Sequence, residues 1–109
     1  MMPNDLFDSE QHPLANIDTI IHTPGRLMIL TYLYVVESAD YVFLMRLTGL
    51  TWGNLSTHLT KLEEAGYVLI NKEFRGKKPH STVSLTPEGR EAFREYKKSL
   101  QQVLDDLPD

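Results

Sequence analysis

Small polar side chains cluster between residues 52 and 61, in a pattern that suits contact with DNA bases. Hydroxyl and amide groups hydrogen-bond to base edges, and the methyl group of threonine packs against that of thymine. In a helix, a rotation of about 100° per residue places Leu55, Leu59 and Leu62 on one face and Thr57 opposite them. The polar residues on or beside the opposite face are the candidate base-contacting set: Asn54, Ser56, Thr57, Thr60 and Lys61. A solvent-exposed helix without a partner is the alternative interpretation.

Three bases within four residues, Arg75, Lys77 and Lys78, lie in a segment rich in turn-forming residues. The runs on either side of it, 67–70 and 82–85, have the period of β-strands and predict a hairpin. A basic hairpin tip contacts phosphates or enters the minor groove in many DNA-binding proteins. A charged turn that only keeps a protein soluble is the alternative. The position of the tip, one hairpin after the polar segment, favours DNA.

The distribution of charge agrees with this interpretation, although the net charge of -4 does not by itself. Residues 1–40 carry a charge of -5, residues 41–87 carry +3, and residues 88–109 carry -2. Salt screens charges beyond about 8 Å, so a basic central segment can form a local phosphate-binding face between acidic ends.

Apolar spacing and helix-capping residues indicate the elements that position these groups. The predicted helix starts are capped by Thr23, Thr51 and Thr86, and the predicted helix ends are marked by Gly49 and Gly66. The predicted helices span residues 14–21, 24–37, 42–47, 52–65 and a long segment from residue 87 onwards. Ser38-Ala39-Asp40 reads as a break between helices. The short link 48–51 contains glycine, as a helix-turn-helix requires, and the second helix of that motif lies in the major groove. The predicted fold is mainly α with a small β-hairpin, a winged helix-turn-helix. Residues 13–109 form one domain after a flexible segment, 1–12.

Gly53 is an unfavourable residue for a helix, at a cost of about 1 kcal/mol relative to alanine. Two explanations are open from the sequence. The helix backbone could approach DNA closely at this position, or it could pack tightly against the preceding helix.

The terminal helix carries an apolar seam with steps of three and four residues, typical of coiled coils. Its members are Phe93, Tyr96, Leu100, Val103 and Leu107. The seam continues almost to the end of the sequence and therefore projects beyond a compact core. It predicts a homodimer with two-fold symmetry, and packing within one chain is the alternative.

Residues 20–98 resemble winged-helix regulators of the MarR and ArsR type, and more closely the short single-domain archaeal and bacterial winged-helix DNA-binding proteins. The matching stretches are IIHTPGRLMILTYL, GLTWGNLSTHLTKLEEAGYV and FRGKKPHSTVSLTPEGREAF. The resemblance implies a dimer on a palindromic operator. It also implies a recognition helix that contains Asn54, Ser56, Thr57 and His58 with Trp52 at its start, and a wing formed by the bases Arg75, Lys77 and Lys78. The helical rotation instead places Trp52 and His58 nearer the buried side.

Several other functions find no support in the residues. The chain has no cysteine, which excludes thiolate metal sensing of the ArsR type, and its four histidines are scattered without metal-ligand spacing. Because no phosphate loop or nucleophile motif occurs, we expect neither an enzyme nor a cofactor. No segment resembles a signal peptide or a membrane span, so a cytoplasmic protein is expected.

The predicted partners are double-stranded DNA and a second copy of the chain, and a small-molecule effector would be compatible with the dimer. The predicted activity is regulation of transcription, with repression favoured over activation. A winged-helix adaptor that binds proteins and no nucleic acid is the alternative class. RNA binding is disfavoured because only Tyr67 and Phe74 flank the hairpin, too few for a stacking platform.

Overall fold

The computed structural model describes residues 13–109, which form four α-helices and a three-stranded antiparallel sheet. The predicted flexible segment 1–12 lies outside the described residues. The elements are a 3-10 helix (Pro13–Asn16), α1 (Pro24–Val36), β1 (Ser38–Asp40), α2 (Tyr41–Thr48), α3 (Trp52–Glu64), β2 (Val68–Arg75), β3 (Lys78–Leu85) and α4 (Pro87–Asp105). The predicted mainly α architecture with a hairpin is confirmed.

Capping residues set the ends of α2, α3 and α4 as their sequence indicates. The Thr51 hydroxyl accepts a hydrogen bond from the backbone N–H of Asn54 at 3.2 Å and caps α3. Thr86 caps α4 in the same way. Gly49 and Gly66 follow α2 and α3 with φ of 73° and 81°, a left-handed conformation that glycine adopts without steric cost. Thr23 precedes α1, but its side chain makes no capping bond, so that part of the prediction is wrong.

The helix predicted over 14–21 is wrong beyond Asn16. The Asp18 carboxylate accepts hydrogen bonds from the backbone N–H groups of Ile20 and Ile21 at 2.8 and 3.2 Å. Such local bonds offer the backbone an alternative to helical pairing and produce a turn. The other oxygen of Asp18 accepts the Tyr67 hydroxyl, and burial together with this carboxylate raises the pKa of Tyr67 to about 12.

The break predicted at Ser38-Ala39-Asp40 is a strand. It pairs with β3 so that Ala39 lies opposite Val83, and both residues are buried. The strand order is β1-β3-β2, which leaves β2 at an edge of the sheet. The two hairpin strands are also longer than predicted, with eight residues each, and only residues 76 and 77 connect them.

One core lies between the helices and the inner face of the sheet. Its fully buried side chains come from every layer: Ile21, Ile29, Leu30, Leu33, Leu44, Leu55, Leu59, Leu62 and Val83. The three leucines of α3 are those that the helical rotation placed inward. Because they anchor α3 along one side, its opposite side is held outward in a fixed orientation.

Candidate nucleic-acid interface

The polar side of α3 faces solvent over most of its length. Asn54, Thr57, Thr60 and Lys61 are exposed, and Ser56 is half-buried. The hydroxyls of Thr57 and Thr60 donate to the carbonyls of Gly53 and Ser56, both at 2.9 Å. These bonds use the hydroxyl hydrogens and leave the oxygen lone pairs free to accept. The face therefore offers ordered acceptors, methyl groups and one ammonium group, which are the groups that read base edges.

Gly53 lies on this exposed face. A Cβ placed on Gly53 would meet no atom within 4 Å, so neither α2 nor any other described element crowds it. The structure therefore excludes tight intramolecular packing as the reason for a glycine here.

Trp52 begins α3 and is 57% exposed, which corrects the placement of this side chain near the buried side. Its ring lies against the ring of Tyr41, with centroids 5.0 Å apart. A shallow concavity along the helix joins this ring to the polar face, and it is lined by Trp52, Gly53, Ser56, Thr57, Thr60, Lys61 and Glu64. Trp52 thus belongs to the same surface as the predicted base-contacting residues.

His58 does not belong to this surface. Its ring packs over Gly25 of α1, and Nδ1 of the ring lies 3.2 Å from the guanidinium of Arg26. Because arginine only donates, Nδ1 accepts and Nε2 carries the proton of the neutral ring. Burial, with the nearby charges of Arg26 and Lys61, lowers the pKa of His58. The helical rotation therefore placed His58 correctly, nearer the buried side. The base-contacting role that the resemblance implied for His58 is corrected, because the ring faces α1.

The hairpin tip presents its bases to solvent. Arg75 lies opposite Lys78, and the turn between them places Gly76 at its first central position with φ of 64°. A glycine there with positive φ is the requirement of a tight hairpin turn of type II′. Arg75, Lys77 and Lys78 are all exposed. Within residues 13–109, the ion pairs involve α4 and Glu37, and none involves a base of the tip.

Lys72 is an additional exposed base on β2 that the sequence-based set missed. The predicted strand ended at residue 70, and the residues that follow it, NKEFR, are mostly polar. Their pairing with β3 becomes visible only in the structure, where Lys72 lies opposite Ser81.

The apolar seam of α4 divides into two parts. Tyr96 is buried, and its hydroxyl hydrogen-bonds to Nδ1 of His22 at 2.8 Å, so its assignment to a dimer contact is corrected to a core residue. The ring of Phe93 packs at a tilt against Tyr34 of its own chain, with centroids 5.3 Å apart, and Leu100 packs on the core. Helix α4 therefore uses the first half of the seam to dock on its own domain.

The second half of the seam stays open. Val103 is half-buried and Leu107 is 61% exposed. Leu104, which the predicted seam omitted, is 53% exposed and lines an apolar groove together with Leu27 and Phe93. The described residues extend over 67 × 24 × 22 Å, an elongated shape for one domain.

The arrangement of a tri-helical core, a sheet and a basic hairpin after the second helix of a helix-turn-helix defines a winged-helix protein. Comparison with known proteins agrees. Residues 26–104 match the family described as winged helix DNA-binding domain, and the chain belongs to this family. An uncharacterised protein of Methanocaldococcus jannaschii is 34% identical over 88 residues, which are 81% of this chain and 96% of that protein.

Solved structures show the same fold. A transcriptional regulator homologue from Pyrococcus horikoshii OT3 superimposes with a TM-score of 0.76 and 28% identity, over 95% of this chain and 99% of that one. A MarR-family transcriptional regulator from Silicibacter pomeroyi superimposes with a TM-score of 0.63 and 18% identity, over 95% of this chain and 69% of that one. An ArsR-family regulator also shares the fold. The resemblance to MarR and ArsR regulators is confirmed at the level of the fold. No helix among residues 13–109 has the length and hydrophobicity of a transmembrane span.

Proposed function

We propose that this winged-helix DNA-binding protein is a homodimeric transcriptional repressor that recognises a specific DNA sequence. Its α3 enters the major groove, with Asn54, Ser56, Thr57, Thr60 and Lys61 toward the bases. The wing bases Arg75, Lys77 and Lys78 bind phosphates or the minor groove. One observation carries the proposal. The polar side of α3 is uncovered, and the wing bases are free of carboxylate partners within the described residues.

Trp52 extends the proposed surface at the start of α3. The exposed ring offers an apolar plane beside the polar side chains, and its contact with Tyr41 holds the ring in place. Such a ring would contact a deoxyribose or a thymine methyl group at the edge of the groove. His58 supports the surface from behind, through Gly25 and Arg26, and does not contact DNA in this proposal.

The open half of the α4 seam is the proposed dimer contact, through Val103, Leu104 and Leu107. Two copies joined along α4 would place two recognition helices about one DNA turn apart, roughly 34 Å. The ion pairs of Glu91 with Arg94 and of Glu95 with Lys98 lie along α4 and neutralise part of its charge.

A small-molecule effector is proposed to bind in a cavity of about 540 Å³ beside α1. Its walls are largely apolar, from Leu27, Met28 and Tyr32, and the hydrogen-bonded pair of His22 and Tyr96 adds polar groups. A ligand with a small apolar body and one polar group would suit these walls. NadR, a protein of similar fold at 20% identity and a TM-score of 0.64, was solved in complex with 4-hydroxyphenylacetate.

Selection of bound duplexes from a random pool tests the central proposal, followed by titration of the selected duplex at several salt concentrations. We expect one enriched palindromic sequence and an affinity that falls steeply with salt. Lys77→Ala combined with Lys78→Ala should weaken binding to all sequences alike. It should also reduce the salt slope by about 0.9 for each phosphate that the wing no longer neutralises.

A matched control removes the same charge elsewhere. Lys97→Ala combined with Lys98→Ala removes two adjacent exposed lysines from α4, and we expect little change in DNA affinity. If the two double variants lost affinity equally, binding would follow net charge and the wing assignment would be wrong. If the unmodified protein enriched no sequence and bound no mixed duplex, the adaptor class would replace DNA binding.

A further inference from the structure

Phe74 is a large apolar side chain placed at the tip of the wing, where it is 73% exposed. A single exposed apolar residue is ordinary on a protein surface. Phe74, however, pairs across the hairpin with Pro79, which is also exposed. The tip therefore presents two adjacent apolar groups, which we call the apolar plate (Phe74 and Pro79).

The pairing register shows which side of the hairpin carries the plate. Successive residues of a strand point to opposite faces, so residues 68, 70, 72 and 74 share one face of β2. On that face Val68 lies opposite Leu85, Ile70 opposite Val83 and Phe74 opposite Pro79. Val68 and Val83 are buried in the core. The plate is thus the outer continuation of the core side of the sheet, the side on which α3 packs against β2.

The charges around the plate indicate its occupant. Residues 72–80 contain four bases, Lys72, Arg75, Lys77 and Lys78, against a single acid, Glu73. By the alternation of side chains along a strand, Lys72 lies on the face of the plate, whereas Glu73, Arg75 and Lys78 lie on the other face and Lys77 lies in the turn. An apolar plate with Lys72 beside it on the same face and three further bases at the adjoining end of the hairpin fits a polyanion with an apolar interior. A DNA duplex, whose stacked bases lie between phosphates, has this chemistry.

We propose that the apolar plate is a wedge that enters the minor groove beside the recognition site and partly unstacks a base step. Phe and Pro are among the apolar side chains that act in this way in other proteins. This inference rests on the proposed function and goes beyond its phosphate-binding wing. It makes sequence choice depend on the flexibility of a step that receives no hydrogen bond, since pyrimidine–purine steps unstack more easily than A-tracts.

The test compares Phe74→Ala with the unmodified protein on two selected duplexes that differ only at the step under the wing. One carries TA at that step and the other lies within an A-tract. The unmodified protein should prefer TA. Phe74→Ala should lose this preference and weaken binding to the TA duplex about fivefold or more, as expected when one aromatic ring no longer stacks on a base. Its salt slope should not change, because no charge is removed.

Two further measurements make the test specific. Leu69→Ala removes an apolar side chain that is 54% exposed on the opposite face of β2, and it should leave the TA preference intact. The fluorescence of a 2-aminopurine base at the step should increase when the unmodified protein binds and should not increase when Phe74→Ala binds. Circular dichroism melting checks that both variants fold.

The outcomes separate this inference from the proposed function. If the unmodified protein bound no duplex, the proposed function would fail and the wedge with it. If it bound with steep salt dependence while Phe74→Ala kept the same affinity, step preference and fluorescence, only the wedge would be overturned. A change in the mass of the free protein on Phe74→Ala, with DNA binding unaltered, would assign the plate to self-association and overturn the wedge as well.

Discussion

Replacement of Gly53 by alanine should raise the stability of the fold and weaken the binding of DNA. Gly53 is the second residue of α3, its φ is not in the left-handed region, and an added Cβ would meet no atom within 4 Å. Alanine therefore fits the fold without strain. The gain in helix propensity is at most about 1 kcal/mol for a helical glycine-to-alanine change, and it is smaller near a helix end. For a domain of this size that corresponds to a rise in melting temperature of at most about 4–8 °C.

The effect on DNA binding follows from the position of the same atom. The new methyl group would stand on the exposed face, beside Thr57, where the α3 backbone is proposed to approach the duplex. If it displaces one good contact, worth about 1–3 kcal/mol, affinity for the selected duplex should fall about fivefold or more. Melting by circular dichroism gives the stability, and fluorescence anisotropy with a labelled duplex gives the affinity.

Two results would refute this reasoning. A lower melting temperature for Gly53→Ala would show that the position is crowded. A stabilised variant with unchanged affinity would show that close approach to DNA does not explain the glycine. Only the combination of higher stability and weaker binding supports the account.

Three further perturbations have defined outcomes. Gly89→Ala should lower the melting temperature strongly, because its Cβ would overlap the backbone carbonyl of Tyr67; a melt equal to that of the unmodified protein would contradict this. Because folding favours the uncharged His58 ring, the unfolded chain takes up a proton first as pH falls, so the free energy of unfolding should decrease below about pH 6.5. The decrease should be smaller in His58→Gln, and equal pH dependence of stability in both proteins would disprove the contribution of His58. Leu104→Asp should halve the mass measured by light scattering if α4 forms the dimer, whereas an unchanged mass would place the contact elsewhere.

Features set by local chemistry were predictable from the sequence. Leu55, Leu59 and Leu62 identified the buried side of α3, and Thr51 and Gly66 identified its ends. In these cases one helix carries both its own periodicity and its own caps, so no knowledge of a neighbour is needed.

Features set by distant partners were not predictable. Strand β1 consists of Ser38, Ala39 and Asp40, which have low strand propensity, and it exists because β3 pairs with it. The Tyr96 position fits the spacing of an intermolecular seam, yet His22 of its own chain covers it. Periodicity shows which side of a helix is apolar and leaves open what covers that side. Phe74 was predicted to lie in the turn, because the segment 74–80 is rich in turn-forming residues and bases. Its pairing with Pro79 in the structure places it instead on one face of β2.

Titration of the isotope-labelled protein with the selected duplex, followed by amide NMR shifts, tests most directly whether α3 and the wing form one DNA-binding surface. The account predicts that the largest shifts occur together in residues 52–61 and 72–80, and that residues 101–109 change little at fixed dimer state. Shifts concentrated on α4, or in only one of the two predicted segments, would contradict it.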